Sequence, residues 1–330
     1  MALGLGAASS PALAVPESRR RSVSIAHLTD MHVQPERKGA EGLAACLKHI
    51  MNLKQKPDMI VVGGDMIMDS FEADDARTKQ QWDLFTAAFR ENTNLPVKYC
   101  LGNHDIWGWD KTKSKTTGSE PGWGKQRAMD ILKMSAPFYS FDQGGWRIIV
   151  LDSVQPRGEG YIGRLDPEGV NQDAEGTQFQ WLARELAATP SRTPVCVVSH
   201  IPILCAGNMI SDGRMSESGM QIGAASQLTD VHKIVDLFSR YPNVKLCLSG
   251  HIHLNDRIDF QGVTYLCNGA VSGAWWRGRE AYRKILNERA KPGDPIRPYR
   301  SDEGYALVDL FTDGSFAYVY VKYGWQAVAE

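Results

Sequence analysis

The sequence predicts an α/β protein whose C-terminal part is mainly β, and three observations carry that prediction. Short apolar runs of strand character alternate with segments of helical spacing as far as Leu248. Several of those runs stop abruptly at Gly, Asp, Asn or His, as buried strands do when they deliver polar side chains to a sheet end. Beyond Arg257 the helical spacing gives way to paired apolar runs joined by turn residues.

The elements follow in order. Residues 23–29 (VSIAHLT) read as a strand that ends at Asp30. Residues 42–55 have helical spacing, with Leu43, Leu47, Ile50 and Met51 on one side, and Pro57-Asp58 breaks the pattern. Residues 59–62 (MIVV) have the apolar continuity of a strand buried on both faces, and Gly63-Gly64-Asp65 follows. Residues 74–92 read as a helix with Trp82, Phe85 and Phe89 in its stripe. A short strand over 96–101 leads to Gly102-Asn103-His104-Asp105 and then to a loop rich in Gly, Trp and Lys over 106–124. Strands are expected at 146–151, 194–199 and 244–248, and helices at 178–188 and 226–240. The strand at 194–199 ends in His200, and the one at 244–248 leads to Gly250-His251-Ile252-His253. Residues 257–268 and 305–323 read as hairpins, the second turning at Asp313-Gly314. Met209, Met215 and Met220 read as loop packing.

Composition narrows the function classes. The chain has 330 residues, 43% hydrophobic and 23% charged, with 37 Lys plus Arg against 38 Asp plus Glu. That is an ordinary globular composition with ample length for a buried core. The net charge of -1 lacks the basic footprint of a duplex nucleic-acid binder. No apolar run reaches 18 residues, so no spanning helix is expected. Residues 277–300 hold eight Lys or Arg and three Asp or Glu, an excess expected of a solvated face. None of the six cysteines forms C-x-x-C, and Cys100, Cys196, Cys247 and Cys267 lie in apolar runs where a thiol acts as a small hydrophobe. No linker divides the chain. Residues 23–330 are therefore read as one domain with a β-rich part from about 256, preceded by an extension over 1–22. Residues 1–16 are uncharged and contain Ala12-Leu13-Ala14, the pattern of a secretory cleavage site, but Arg19, Arg20 and Arg21 follow the apolar stretch instead of preceding it. Two readings stay open: a signal remnant, which places the protein in the periplasm or outside the cell and is preferred, and a simple Ala/Gly-rich extension of a cytoplasmic protein.

Five polar blocks carry the chemistry: Asp30-Met31-His32, Gly64-Asp65, Gly102-Asn103-His104-Asp105, Ser199-His200 and Gly250-His251-Ile252-His253. Each follows an apolar run. If the strands are parallel, all five turns fall at one end of the sheet, where α/β proteins bind ligands. His, Asp and Asn donors suit borderline divalent metals such as Mn, Fe, Zn and Co. An Asp at the centre can bridge two ions, and two ions roughly 3.5–4 Å apart activate a water and clamp the oxygens of a phosphoryl group. Each block has an ordinary structural alternative, a turn or a satisfied core histidine. It is their joint order that is specific. His27, His49 and His232 fall outside the blocks and read as structural, with His27 near enough to support the site.

In that order the blocks resemble the signature of the calcineurin-like metallophosphoesterase superfamily, D-x-H, G-D, G-N-H-[DE], H and G-H-x-H, over about residues 24–270. The resemblance implies a four-layer α/β/β/α sandwich of two mixed sheets, the metallo-dependent phosphatase type, with two metal ions at the sheet ends. It implies that Asp30, His32 and His253 hold the first metal, that Asn103, His200 and His251 hold the second, and that Asp65 bridges them. It also gives His104 a role at the leaving group, Asp105 the task of orienting His104, and Asn103 a contact to phosphate. Met68 stands where purple acid phosphatases carry a Tyr ligand, which argues against a purple site. Asp69 completes G-D-x-x-x-D, a spacing similar to bacterial class III cyclic nucleotide phosphodiesterases and glycerophosphodiesterases, and is expected to support the site without binding metal. The expected activity is in-line attack of a metal-bound hydroxide on a small soluble phosphodiester. The alternatives are a phosphomonoesterase on the same site and, remotely, a non-catalytic scaffold with the same fold. On the substrate side, Trp107, Trp109 and Trp123 flank Lys111, Lys113 and Lys115, and Trp275-Trp276-Arg277 follows the G-H-x-H strand unit. Trp107, Trp109, Trp275, Trp276 and Arg277 are thus expected to meet substrate by stacking or charge. The alternative is that the Trp residues pack a cap or an oligomer contact.

Overall fold

In a computed structural model, which describes residues 19–211, 213–289 and 300–327, two mixed sheets lie face to face between helical layers. The elements in chain order are β1 (Arg21–Leu28), α1 (Gly39–Met51), β2 (Met59–Val62), α2 (Asp75–Asn92), β3 (Val97–Tyr99), α3 (Lys111–Ser114), α4 (Gln126–Leu132), β4 (Tyr139–Gln143) and β5 (Trp146–Val150). They continue with β6 (Val154–Arg157), β7 (Gly160–Gly163), α5 (Gln178–Ala188), β8 (Val195–Val198), α6 (Gly207–Ser211), β9 (Arg214–Ser216), β10 (Gly219–Gln221), α7 (Val231–Ser239) and β11 (Val244–Ser249). The last are β12 (Asp256–Phe260), β13 (Val263–Cys267), α8 (Arg279–Arg289), β14 (Gly304–Phe311) and β15 (Phe316–Lys322). One sheet has the order β15-β14-β1-β2-β3 and the other β12-β13-β11-β8-β5-β4.

Alternation along each strand builds three cores. On β1, Val23 and Ile25 point into the space between the sheets, where they meet Ile148, Val150, Cys196, Val198, Leu246 and Leu248 of the opposite sheet. Ala26 and Leu28 point the other way, into a second core closed by Leu43, Leu47 and Ile50 of α1 and Trp82, Phe85 and Phe89 of α2. The second sheet repeats this on its far side, where Ile149, Val195 and Val197 meet Leu182 and Leu186 of α5 and Ile234 and Phe238 of α7. Burial on both faces is why β2, β8 and β11 read as continuous apolar runs. The result is the four-layer α/β/β/α sandwich expected from the resemblance.

Strand direction positions the site. β1, β2 and β3 run parallel, as do β5, β8, β11 and β13. The antiparallel β14–β15 hairpin and the antiparallel β12 and β4 edges close the sheets, which makes both of them mixed.

Several expectations are corrected. β1 begins at Arg21, inside the stretch read as an extension, and residues 1–18 with the candidate cleavage site lie outside the described residues. The helix expected over 226–240 begins only at Val231, because Leu228 N–H donates to the Pro202 carbonyl and holds the preceding segment as a turn. The 106–124 loop contains α3. Met209, Met215 and Met220 are 49%, 76% and 48% exposed and so do not pack the loop. Of the basic stretch 277–300, residues 279–289 form α8, and 290–299 lie outside the described residues. All six cysteines are buried free thiols.

Candidate metal centre

Each of the five polar blocks begins where a strand of the parallel part leaves its sheet. Asp30 and His32 follow β1, Asp65 follows β2, Asn103 follows β3, His200 follows β8, and His251 and His253 follow β11. To turn back over the strand ends, Asp30, His32, Asp65, His251 and His253 all adopt left-handed backbone, with φ of 55°, 43°, 52°, 73° and 55°. That region is unfavourable for residues with a Cβ and is retained where surrounding structure enforces it. Here the enforcement is visible. Asp30 N–H donates to Gly64 O at 3.0 Å and His32 N–H to Asp65 O at 3.0 Å, which locks the first two blocks together. Gly250 N–H donates to His200 O at 3.0 Å and does the same for the last two.

The side chains then converge. Asp30, His32 and His253 bring one ligand atom each within 4.8 Å of one another, as do Asp65, His200 and His251, and also His32, Asp65 and His104. Asp65 belongs to two of these groups, the place for a bridging carboxylate. On one side, His253 Nδ1 donates to Gly273 O at 2.7 Å, which turns Nε2 toward Asp30 Oδ1 at 3.3 Å and His32 Nε2 at 3.0 Å. On the other, His200 Nδ1 donates to Gly63 O at 2.8 Å. Its Nε2 faces Asp65 Oδ2, Asn103 Oδ1 and His251 Nδ1, each at 3.2 Å. Lone pairs of nitrogen and oxygen aimed at one another at these distances repel unless a proton or a cation lies among them. The donor set therefore fits divalent ions: oxygen and imidazole ligands, with the second imidazole nitrogen anchored on a carbonyl.

The proton equilibria express the same demand. Burial disfavours charge at His200, but the carboxylates of Asp65 and Asp30 outweigh it and hold the imidazole up at about 9. Burial would raise Asp65, yet His200 and His104 hold its carboxyl well below the usual range. Burial also opposes ionisation of Asp30, which His253 and His200 nevertheless keep low. His32 is driven well down, by burial first and by His104 next. The buried carboxylates ask for positive charge, and protons on histidine answer it when metal does not.

Asp105 is where the structure departs from its expected role. Its carboxylate accepts from Gly102 N–H at 2.8 Å, Asp65 N–H at 2.9 Å and Met66 N–H at 2.8 Å. It therefore staples the Gly102 and Asp65 loops together and makes no bond to the His104 ring. Burial and the Asp65 charge push it up to about 7, against the pull of those amides. What fixes His104 is its own Nδ1, hydrogen-bonded to Met68 O, with its N–H donating to Asp65 Oδ1 at 2.9 Å. The half-buried ring stands edge-on to His32 at 4.7 Å. Asp69 caps a turn by accepting from Glu72 N–H at 3.0 Å. His27 lies under the site with Nδ1 2.6 Å from Asn268 Nδ2, and burial pushes it down to about 4, so it is neutral. His49 meets Tyr305 Oη at 3.0 Å, and His232 is exposed on α7.

The expected substrate contacts divide. Trp276 is fully buried against α1, and Trp109 is buried in the core beneath the second sheet. Trp107 is 4% exposed, with Arg127 over its ring at 3.7 Å. No ring face of these three is open to a ligand, so they are packing residues. Trp123 likewise bonds back to Gly108 O at 2.9 Å. Arg277 is half-buried at the end of a turn, its N–H donating to Ala274 O. Trp275 alone adjoins the centre, its ring stacked on His253 at 4.2 Å. Sequence reasoning missed Tyr161 on β7, whose ring stands edge-on to His251 at 6.2 Å. The Gly158–Gly160 turn that presents it was the available signal.

Comparison with known proteins agrees with this geometry. Residues 23–255 match the family model described as Calcineurin-like phosphoesterase. A 3′,5′-cyclic-nucleotide phosphodiesterase of Nostoc sp. is 23% identical over 303 residues, covering 89% of this chain and 90% of the relative. A 3′,5′-cyclic adenosine monophosphate phosphodiesterase of Escherichia coli is 24% identical over 260 residues, 76% of each chain. Among solved structures, a dimetal phosphatase from Danio rerio superimposes with a TM-score of 0.53 at 13% identity, covering 88% of this chain and 94% of that one. The last likeness is one of fold.

Proposed function

Since the chain belongs to the calcineurin-like phosphoesterase family, metal-dependent hydrolases of phosphoric esters, we propose that it cleaves small phosphodiesters of the cyclic nucleotide or glycerophosphodiester type at a two-metal centre. The observation that carries the reading is the convergence of imidazole nitrogens and carboxylate oxygens on two adjoining positions, with Asp65 common to both. Asp30, His32 and His253 would hold one ion, Asn103, His200 and His251 the other, and Asp65 would join them. Two such ions lower the pKa of a water and neutralise the charge on phosphoryl oxygens.

The chain's own groups do the rest. With Asn103 Oδ1 turned to His200, its Nδ2 is the atom free to donate to a non-bridging phosphate oxygen. His104, held at Nδ1 by Met68 O, presents Nε2 to the leaving oxygen and gives it a proton as the ester bond breaks. Asp30 is kept aligned by Thr29 Oγ1 at 2.7 Å and by His251 N–H at 2.9 Å. Tyr161 and Trp275 form aromatic walls on the two sides, suited to the organic part of the ester. The relatives named as cyclic nucleotide phosphodiesterases support a diester over a monoester.

The test is turnover by the Mn²⁺-loaded protein of bis(p-nitrophenyl) phosphate against p-nitrophenyl phosphate. Chelator-sensitive turnover that favours the diester is the expected result. Preference for the monoester would replace this reading with a phosphomonoesterase, and no turnover of either would overturn it.

A further inference from the structure

The segment between β13 and α8 matches no signature block, yet it grips the first candidate metal position from below. Val271 N–H donates to Thr29 O at 2.9 Å. Ser272 donates to Asp30 O twice, through N–H at 3.2 Å and Oγ at 2.7 Å. Trp276 Nε1 donates to Met31 O at 2.9 Å and to His32 O at 3.1 Å. Four consecutive carbonyls, from Thr29 to His32, are thus received by one turn. Gly273 O accepts from His253 Nδ1, and the Trp275 ring lies on the His253 face at an interplanar angle of 29°. The backbone that carries Asp30 and His32, and the ring of His253, are therefore held by residues 271–276.

The turn adopts unusual conformations to do so. Gly273, Trp275 and Trp276 have φ of 55°, 54° and 63°. Two successive tryptophans in left-handed backbone send one indole into the core and leave the other beside the site. Trp276 is seated against Gly42 of α1, where a Cβ would run into its ring. The turn is fixed from behind by the C-terminal hairpin, since Tyr323 Oη donates to Val271 O at 2.7 Å and Gly304 N–H to Ala270 O at 3.2 Å. The second position is held mainly by other partners, although His251 N–H reaches the Asp30 carboxylate at 2.9 Å. His200 leans on Gly63 O and Asn103 leans on His200.

We propose that the 271–276 turn, backed by the β14–β15 hairpin, is a positioning element chiefly for the first metal position, where its direct bonds fall, with the Trp276 indole N–H and Ser272 Oγ as its working donors. The proposal rests on the two-metal reading above. Its test is direct Mn²⁺ binding to the full chain, by calorimetry and by the electron paramagnetic resonance of free Mn²⁺, with Asn103→Ala marking the step that belongs to the second position. Trp276→Phe keeps an aromatic ring in the core and removes the donor. It should weaken the other step about tenfold or more, the size found when outer partners of metal ligands are lost, and leave the marked step within about twofold. Ser272→Ala should move the same step in the same direction and decides the matter if Trp276→Phe does not fold. Steps that are unchanged, or that weaken alike, overturn the proposal. A wild-type chain that binds fewer than two ions overturns the two-metal reading instead.

Discussion

At the scale of single residues, His104 is the group whose role can be separated from metal binding. Its ring is fixed by a backbone carbonyl, and its N–H, not its imidazole, serves Asp65. His104→Ala should therefore retain bound metal and lose turnover. A positioned proton donor contributes about 10²–10⁴ in rate, and the loss should be larger for an alkoxide leaving group than for p-nitrophenolate, which departs without a proton. Comparing kcat for an alkyl and a p-nitrophenyl diester, with metal content measured alongside, checks this. Equal losses on both would remove His104 from the leaving-group step. The site residues themselves were legible in the sequence because their spacing is specific as a set. Asp105 was legible as a member of the site but not in its task, because its three bonds are to backbone amides that no sequence pattern displays.

At the scale of elements, the turns after the strands are packed too closely to admit a methyl group. Gly102 has ordinary extended backbone, with φ of -104°, so an alanine there meets no conformational objection. Space is the objection: a Cβ would run into the Asp65 backbone nitrogen and carboxylate. Backbone cannot swing aside as a flexible side-chain tip can. Gly102→Ala should cost about 1–3 kcal/mol of stability, the range for overpacking, and should weaken Mn²⁺ at both positions because Asp65 serves both. Thermal unfolding and Mn²⁺ titration of the same variant check it. Unchanged Mn²⁺ affinity would mean that Asp65 relaxes freely. The elements most legible in the sequence were Met59–Val62 and Gln178–Ala188, a strand buried on both faces and a helix with an apolar stripe. The β6–β7 and β9–β10 hairpins were not read. Their strands are three or four residues long, with little or no apolar alternation to announce them.

At the scale of the whole molecule, the two sheets share one apolar interface, and the candidate site lies across its end. The first sheet supplies Asp30, His32, Asp65 and Asn103, and the second supplies His200, His251 and His253. Neither sheet can present the site alone. Ile148 on β5 is fully buried in the shared interface and distant in sequence from every ligand. Ile148→Ala should cost about 2–5 kcal/mol, as lost burial and the cavity left behind require. It should lower the midpoint of a single urea transition and leave Mn²⁺ affinity of the folded protein intact. Two separate transitions would show that the sheets unfold independently. No helix among the described residues is long and apolar enough to cross a membrane.

The sequence by itself determined the α/β class, the strand ends and the candidate ligands, and the family resemblance brought the layer order with it. Apolar runs report burial directly, and Asp, Asn and His at strand ends are donor types that a borderline divalent metal accepts. Only the tertiary structure decided what the tryptophans do. Trp275 and Trp276 are adjacent and chemically alike, yet one stacks on a metal-site histidine and the other is sealed in the core with its N–H on the Asp30–His32 loop. The same is true of the C-terminal hairpin, which carries no signature and yet backs the 271–276 turn beside the candidate site through Tyr323. A residue's direction at a left-handed turn depends on contacts more than two hundred positions away in the chain. Local pattern carries no record of them.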